Sequence, residues 1–215
     1  MSNVSYPPRE YAEWFNFWVE KGSDYTTKRV MLIGDSIVVG YRKRVQELFR
    51  EDGIYADQAA GSRCAGDPAY EAEIEYALGA AAGYKYDVVH LNNGLHGGCN
   101  DTLIPLCDYE KGMRRAIEIV KRCQPEARLI LATSTPMRGK VNDHGTVDPE
   151  LNGFVLERNE VVKKLASEYG LDVDDLFAVV AYKPEYTQND GVHFDAEGKE
   201  ALAQAVYGFV KARIN

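Results

Sequence analysis

The 215-residue sequence predicts a three-layer α/β/α domain built on a mostly parallel central sheet of roughly five strands. Three observations carry that prediction. Short runs of β-forming residues alternate with longer stretches of helical spacing along the whole chain. Those short runs are apolar almost without a break, as strands covered on both faces are, instead of alternating apolar and polar. No repeat, low-complexity tract or linker divides the chain, so one domain spans 1–215.

The elements follow in order. Arg9 to Lys21 places Tyr11, Trp14, Phe15 and Trp18 at i, i+3, i+4 and i+7, which predicts an N-terminal amphipathic helix over about 9–21 packed on the domain. An aromatic wall for a sugar, or a dimer contact, is the sharper alternative for that face. Gly22 to Thr27 links it to a first strand at Val30–Ile33, and a helix runs on from Ile37 to Phe49. Ile54–Gln58 is the second strand. The loop Ala59–Pro68 follows and leads into a helix over Ala69–Leu78. Tyr86–Leu91 is the third strand, ending in Asn92-Asn93-Gly94-Leu95-His96. A helix over Tyr109–Cys123 stops before Pro125, and Ala127–Ala132 is the fourth strand. The polar run Met137–Pro149 reads as a loop over the strand ends. A long helix over Glu150–Tyr169, a last strand over Leu171–Leu176 and a closing helix over Ala196–Ile214 complete the chain.

Composition narrows the function. Hydrophobic residues make up 45%, and 25 Lys and Arg stand against 33 Asp and Glu, a net charge of −8. An acidic balance spread along the chain argues against nucleic acid or an anionic membrane as partner. Met1–Glu10 has no apolar core and no stretch is long enough to span a bilayer, so a cytoplasmic protein is expected, with export after loss of a leader left open. Cys64, Cys99, Cys107 and Cys123 show no C-x-x-C spacing. Free thiols are expected, although Cys99 and Cys107 flank one loop. Asp143-His144 lacks the further spaced ligands a metal needs, and no phosphate-cradling glycine pattern occurs. No metal and no cofactor are expected.

The candidate chemistry lies at the two ends of the chain. In Gly34-Asp35-Ser36 the glycine ends the first strand and Ser36 falls at the amino end of a helix, where backbone N–H groups can hold a developing negative charge. On that stretch alone, a mere helix cap explains the serine. Asp190-Gly191-Val192-His193 changes the balance. An Asp three residues before a His can turn back, accept the ring N–H and leave the other nitrogen as a base. Nucleophile, base and orienter are then Ser36, His193 and Asp190.

With those two motifs, in that order and at that separation, the chain resembles the SGNH/GDSL hydrolases, a family of esterases, deacetylases and lipases on a flavodoxin-like fold. The resemblance spans nearly the whole chain. It implies an oxyanion hole formed by the Ser36 and Gly61 N–H groups and a side chain from a Gly-x-Asn-Asp block. Here Gly94-Leu95 is followed by His96 instead of Asn, so His96 or Asn93 is the candidate third donor. Asp35 and Arg63 are candidate substrate contacts. Polar loops and aromatic residues favour a short acyl group, acetyl, on a carbohydrate, with a small-molecule or oligosaccharide ester as partner. A non-catalytic sugar-binding protein and a lipase or thioesterase are the alternatives. An α/β-hydrolase is disfavoured, because Val38 stands where the second glycine of G-x-S-x-G belongs.

Overall fold

The computed structural model describes residues 6–7, 9–98, 103–138, 147 and 149–214. Six strands, β1 (Phe15–Trp18), β2 (Arg29–Gly34), β3 (Tyr55–Gly61), β4 (Val88–Asn92), β5 (Arg128–Ala132) and β6 (Asp172–Asp174), lie in the order β1-β3-β2-β4-β5-β6. Every neighbouring pair is parallel except β1 with β3. The helices are α1 (Ser36–Glu51), α2 (Pro68–Leu78), α3 (Leu106–Cys123), α4 (Pro149–Tyr169), α5 (Leu176–Val180) and α6 (Ala196–Lys211).

Alternation along each strand divides the core in two. Val30 and Leu32 of β2 face α1 and α6, together with Ala56, Ile130 and Ala132. Met31 and Ile33 face the other way, with Val89, Leu91, Leu129 and Leu131, against α2, α3 and α4. Both faces of β2 are therefore apolar and all six of its residues are buried. Each fully buried Met31 or Leu32 contributes about 1.5–3 kcal/mol by leaving water.

The predicted N-terminal helix is not there. Its residues instead give β1, an antiparallel edge strand pairing Phe15 with Gly61 and Trp18 with Gln58. Here the period is two: Phe15 and Phe17 turn inward onto the core, while Asn16 and Trp18 turn outward. Tyr11, which a helix would have packed, is fully exposed. β1 is the sixth strand. It covers the outer edge of β3, where Ala59, Ala60 and Gly61 lie opposite Phe17, Asn16 and Phe15. At Gly61 a Cβ would stand 2.9 Å from the Trp14 carbonyl oxygen.

A buried ion pair secures this edge. Arg29 is 1% exposed and Asp57 is wholly buried, with Nη1 and Oδ2 2.9 Å apart. The guanidinium also donates to the carbonyls of Glu20, Lys21 and Asp24 and lies between the Tyr55 and Tyr84 rings. It thus fastens the segment joining β1 to β2.

The chain leaves β2 for β3 on one side and returns to β4 on the other. The β2–β4 junction is where strand order reverses, and in open α/β sheets the crevice at such a point receives ligands.

Candidate active site

Gly34 ends β2 where a side chain has no room, since a Cβ there would meet Val38 Cγ2 at 2.2 Å. Asp35 follows in extended conformation and caps α1, its Oδ1 accepting from the Ile37 N–H at 2.8 Å. Capping is therefore done by Asp35, and the Ser36 hydroxyl beside it is committed elsewhere. Asp35 is 3% exposed, and burial pushes its carboxyl above the usual carboxylate range, with His96 and the Ile37 N–H drawing it back. It is a buried helix cap under the site.

Ser36 Oγ lies 2.8 Å from His193 Nε2, across 157 positions of sequence. His193 Nδ1 lies 2.7 Å from Asp190 Oδ2. The other Asp190 oxygen accepts from the Val192 and His193 N–H groups, both at 2.9 Å, in a tight turn through Gly191 at φ 77°. Burial raises the Asp190 pKa, but the two backbone bonds and the imidazole outweigh it and hold the carboxyl down at about 2. A carboxylate so held keeps the Nδ1 proton in place and leaves Nε2 to take the serine proton.

The turn itself is tied down by Arg138, which the sequence does not single out. Its N–H donates to Gly191 O at 2.7 Å, and its guanidinium reaches Thr187 Oγ1 and the carbonyls of Val180 and Ala181.

The remaining predicted residues divide. His96 faces Ser36 across a hollow of about 280 Å3 that Leu95, Met137 and Val192 also line. Its Nδ1 lies 2.8 Å from Glu10 Oε1. Its backbone is held by Arg158, a 1%-exposed guanidinium that donates to the carbonyls of Gly94, His96 and Gly97 between the rings of Tyr109 and Phe154. Only the fold brings Glu10 and Arg158 to this loop, and no local motif marks them.

Asn93 does not reach the site. Its Oδ1 accepts from Ala65 N–H and its Nδ2 donates to Arg63 O, both at 2.9 Å, so it clamps β4 to the loop after β3. Gly61 does not supply a donor either. Tyr55 N–H donates to Lys28 O, and the parallel register continues that pattern to Gly61 N–H opposite Gly34 O, inside the ladder. Arg63 is bound to Glu13, at 2.9 Å, and to Glu73, away from Ser36.

Two further hollows open at Ser36. One, of about 250 Å3, runs under Gln188, Lys199 and Leu202. The other, of about 420 Å3, lies between Trp14, Asn16 and Trp18 of the β1 edge and Val39 and Arg42 of α1. Gly139, Asn142, Asp143, His144 and Gly145 of the predicted loop lie outside the described residues, as does Cys99. Among the described residues no group of three His, Cys, Asp or Glu is placed to hold a metal ion, and no helix is long and apolar enough to cross a membrane.

Comparison with known proteins follows the same lines. The GDSL-like lipase/acylhydrolase family matches residues 32–201. No curated protein sequence matches the chain. Among solved structures, the aryl esterase of M. smegmatis superposes with a TM-score of 0.70 at 16% identity, covering 86% of this chain and 99% of that one. A carbohydrate acetylesterase from Sinorhizobium meliloti gives 0.68 at 18%, covering 86% and 99%. A carbohydrate esterase of family 3 from Talaromyces cellulolyticus gives 0.66 at 16%, covering 87% and 98%. These likenesses show a shared fold.

Proposed function

Since the chain belongs to the GDSL-like lipase/acylhydrolase family, we propose that it is a serine esterase that removes a short acyl group, acetyl, from a carbohydrate through an acyl-enzyme. The observation that carries this reading is the continuous relay from Ser36 Oγ to His193 Nε2, at 2.8 Å, and from Nδ1 to Asp190, at 2.7 Å.

Ser36 Oγ attacks the ester carbonyl while its proton passes to His193 Nε2. The imidazolium is held by Asp190 and returns the proton to the departing alcohol. Water then repeats the sequence on the acyl-enzyme and frees the acid. The oxyanion is met by the Ser36 N–H, at the positive end of α1, and by His96. With Nδ1 bonded to the Glu10 carboxylate, which fixes the orientation of the ring, His96 donates from Nε2 in its doubly protonated form. The hollow beside Leu95, Met137 and Val192 is small and suits a short acyl chain. The polar and aromatic hollow at Trp14 and Trp18 suits a sugar. Two of the similar structures carry the names of carbohydrate esterases.

Ser36→Ala should lower turnover of p-nitrophenyl acetate at least about a thousandfold and abolish labelling by a fluorophosphonate, with the melting temperature unchanged. A Ser36→Ala protein that still turns over the ester at the wild-type rate overturns the reading.

A further inference from the structure

Every arginine of the described residues except Arg42 has an ion pair or a hydrogen bond. Arg42 has neither. Its Nε and Nη1 are buried without a partner, and burial draws the guanidinium below its ordinary pKa. The acid nearest in effect is Glu20, whose Oε1 is taken by Arg50 and whose buried Oε2 makes no hydrogen bond to Arg42. Burying guanidinium N–H groups without a direct partner is unfavourable, and in a chain of net charge −8 acids to pair with are plentiful.

The location gives this unpaired cation a use. Ser36, Val39 and Arg42 follow one another in steps of three along α1 and line one hollow of about 420 Å3. Six residues of helix put Arg42 about 9 Å along the axis from the serine, the reach of a sugar ring with its substituents. The opposite wall is the outward face of β1, where Trp14, Asn16 and Trp18 stand. The Arg42 guanidinium lies 4.8 Å from the Trp18 ring centre. The ring holds the guanidinium from one side, and Nη2, the guanidinium nitrogen that is not buried, is left for an anion in the hollow.

We propose that the alcohol part of the ester substrate carries a carboxylate: an O-acetylated acidic sugar, its ring on the Trp14–Trp18 face and its carboxylate on Arg42. This rests on the esterase reading above and narrows it to a substrate class. The carboxylate supplies the direct partner that Arg42 lacks, and the acyl group then falls at Ser36.

The test compares kcat/KM of the full-length protein on four monoacetylated methyl glycosides: of glucuronic acid, of its methyl ester, of glucose and of glucose 6-phosphate. The free acid should exceed its methyl ester and the glucose derivative by about tenfold or more, mostly through KM. Arg42→Gln should bring acid and methyl ester to the same value, and Arg42→Lys should keep part of the difference. The acid-to-ester ratio is internal to each protein, and the wild-type ratio decides the matter even where a variant does not fold. Equal wild-type rates on acid and methyl ester overturn the proposal, as does an acid preference that survives Arg42→Gln. A preference for the phosphate over the acid also overturns it. If p-nitrophenyl acetate is cleaved through Ser36 but the acid is not preferred, this inference fails and the esterase reading stands. If Ser36 neither turns over that ester nor takes a fluorophosphonate, both fail.

Discussion

At the scale of single residues, the proposed mechanism asks opposite protonation states of two histidines. His193 must be neutral to accept the Ser36 proton, while His96, with Glu10 on Nδ1, must be charged to donate from Nε2. Around His96 stand Glu10 and the buried Asp35 as negative neighbours, Arg158 on its carbonyl oxygen, and the Asp190–His193 pair across the hollow. Asp190, held at about 2, stays a carboxylate on the His193 ring throughout the neutral range. His96→Ala should lower kcat about a hundredfold with little change in KM. His96→Asn keeps a side-chain donor at that position, so it should lose less than His96→Ala. An Asn variant no more active than the Ala variant, with both folded, removes His96 from the mechanism.

At the scale of elements, β1 decides what the substrate meets beside Ser36. Its sequence suits a helix through Trp14, Phe15 and Trp18 and a strand through Phe15 and Phe17, and only the open edge of β3 settles the matter. The central strands were legible because their apolar runs are buried on both faces, and the Ser36, Asp190 and His193 positions were legible because strand-end and turn spacings are local. The partners that complete the site were not. Glu10 meets His96 across 86 positions and Arg158 meets the same loop across 62, and no pattern within a segment encodes such meetings. Gly61 shows the difference. The family resemblance pointed to its N–H as an oxyanion donor, whereas the structure gives it to the ladder and reserves its bare Cα for the approach of Trp14. Gly61→Val should push β1 outward, at a cost of about 1–3 kcal/mol, and raise KM for a sugar ester. Fluorophosphonate labelling of Ser36 should persist. Loss of labelling in a folded Gly61→Val protein would show that the displacement reaches Ser36 and is not confined to the β1 edge.

At the scale of the whole molecule, the same edge is held from below by Arg29 and Asp57, whose loss should be felt both in stability and in substrate binding. Arg29→Met leaves the Asp57 carboxylate in the interior, where burial already pushes its pKa up and Arg29 is among the groups drawing it back. Breaking one side of a buried pair costs about 3–5 kcal/mol, which for a domain of this size lowers the melting temperature by about 10 °C. The sign of the pH effect follows from that raised pKa. Folding takes up a proton at Asp57, so the penalty is full above the folded-state pKa and disappears below the unfolded value near 4. The gap between wild type and Arg29→Met, measured by thermal melts, should therefore narrow as the solution is acidified from neutral. Arg29→Met with Asp57→Asn should recover most of the loss at neutral pH, because the uncompensated charge is gone. It should not restore sugar-ester KM, since the carbonyls of Glu20, Lys21 and Asp24 still lack the guanidinium that holds β1 in register. A double variant as unstable as the single one would mean that Arg29 acts through those carbonyls alone and that the carboxylate is a passive neighbour.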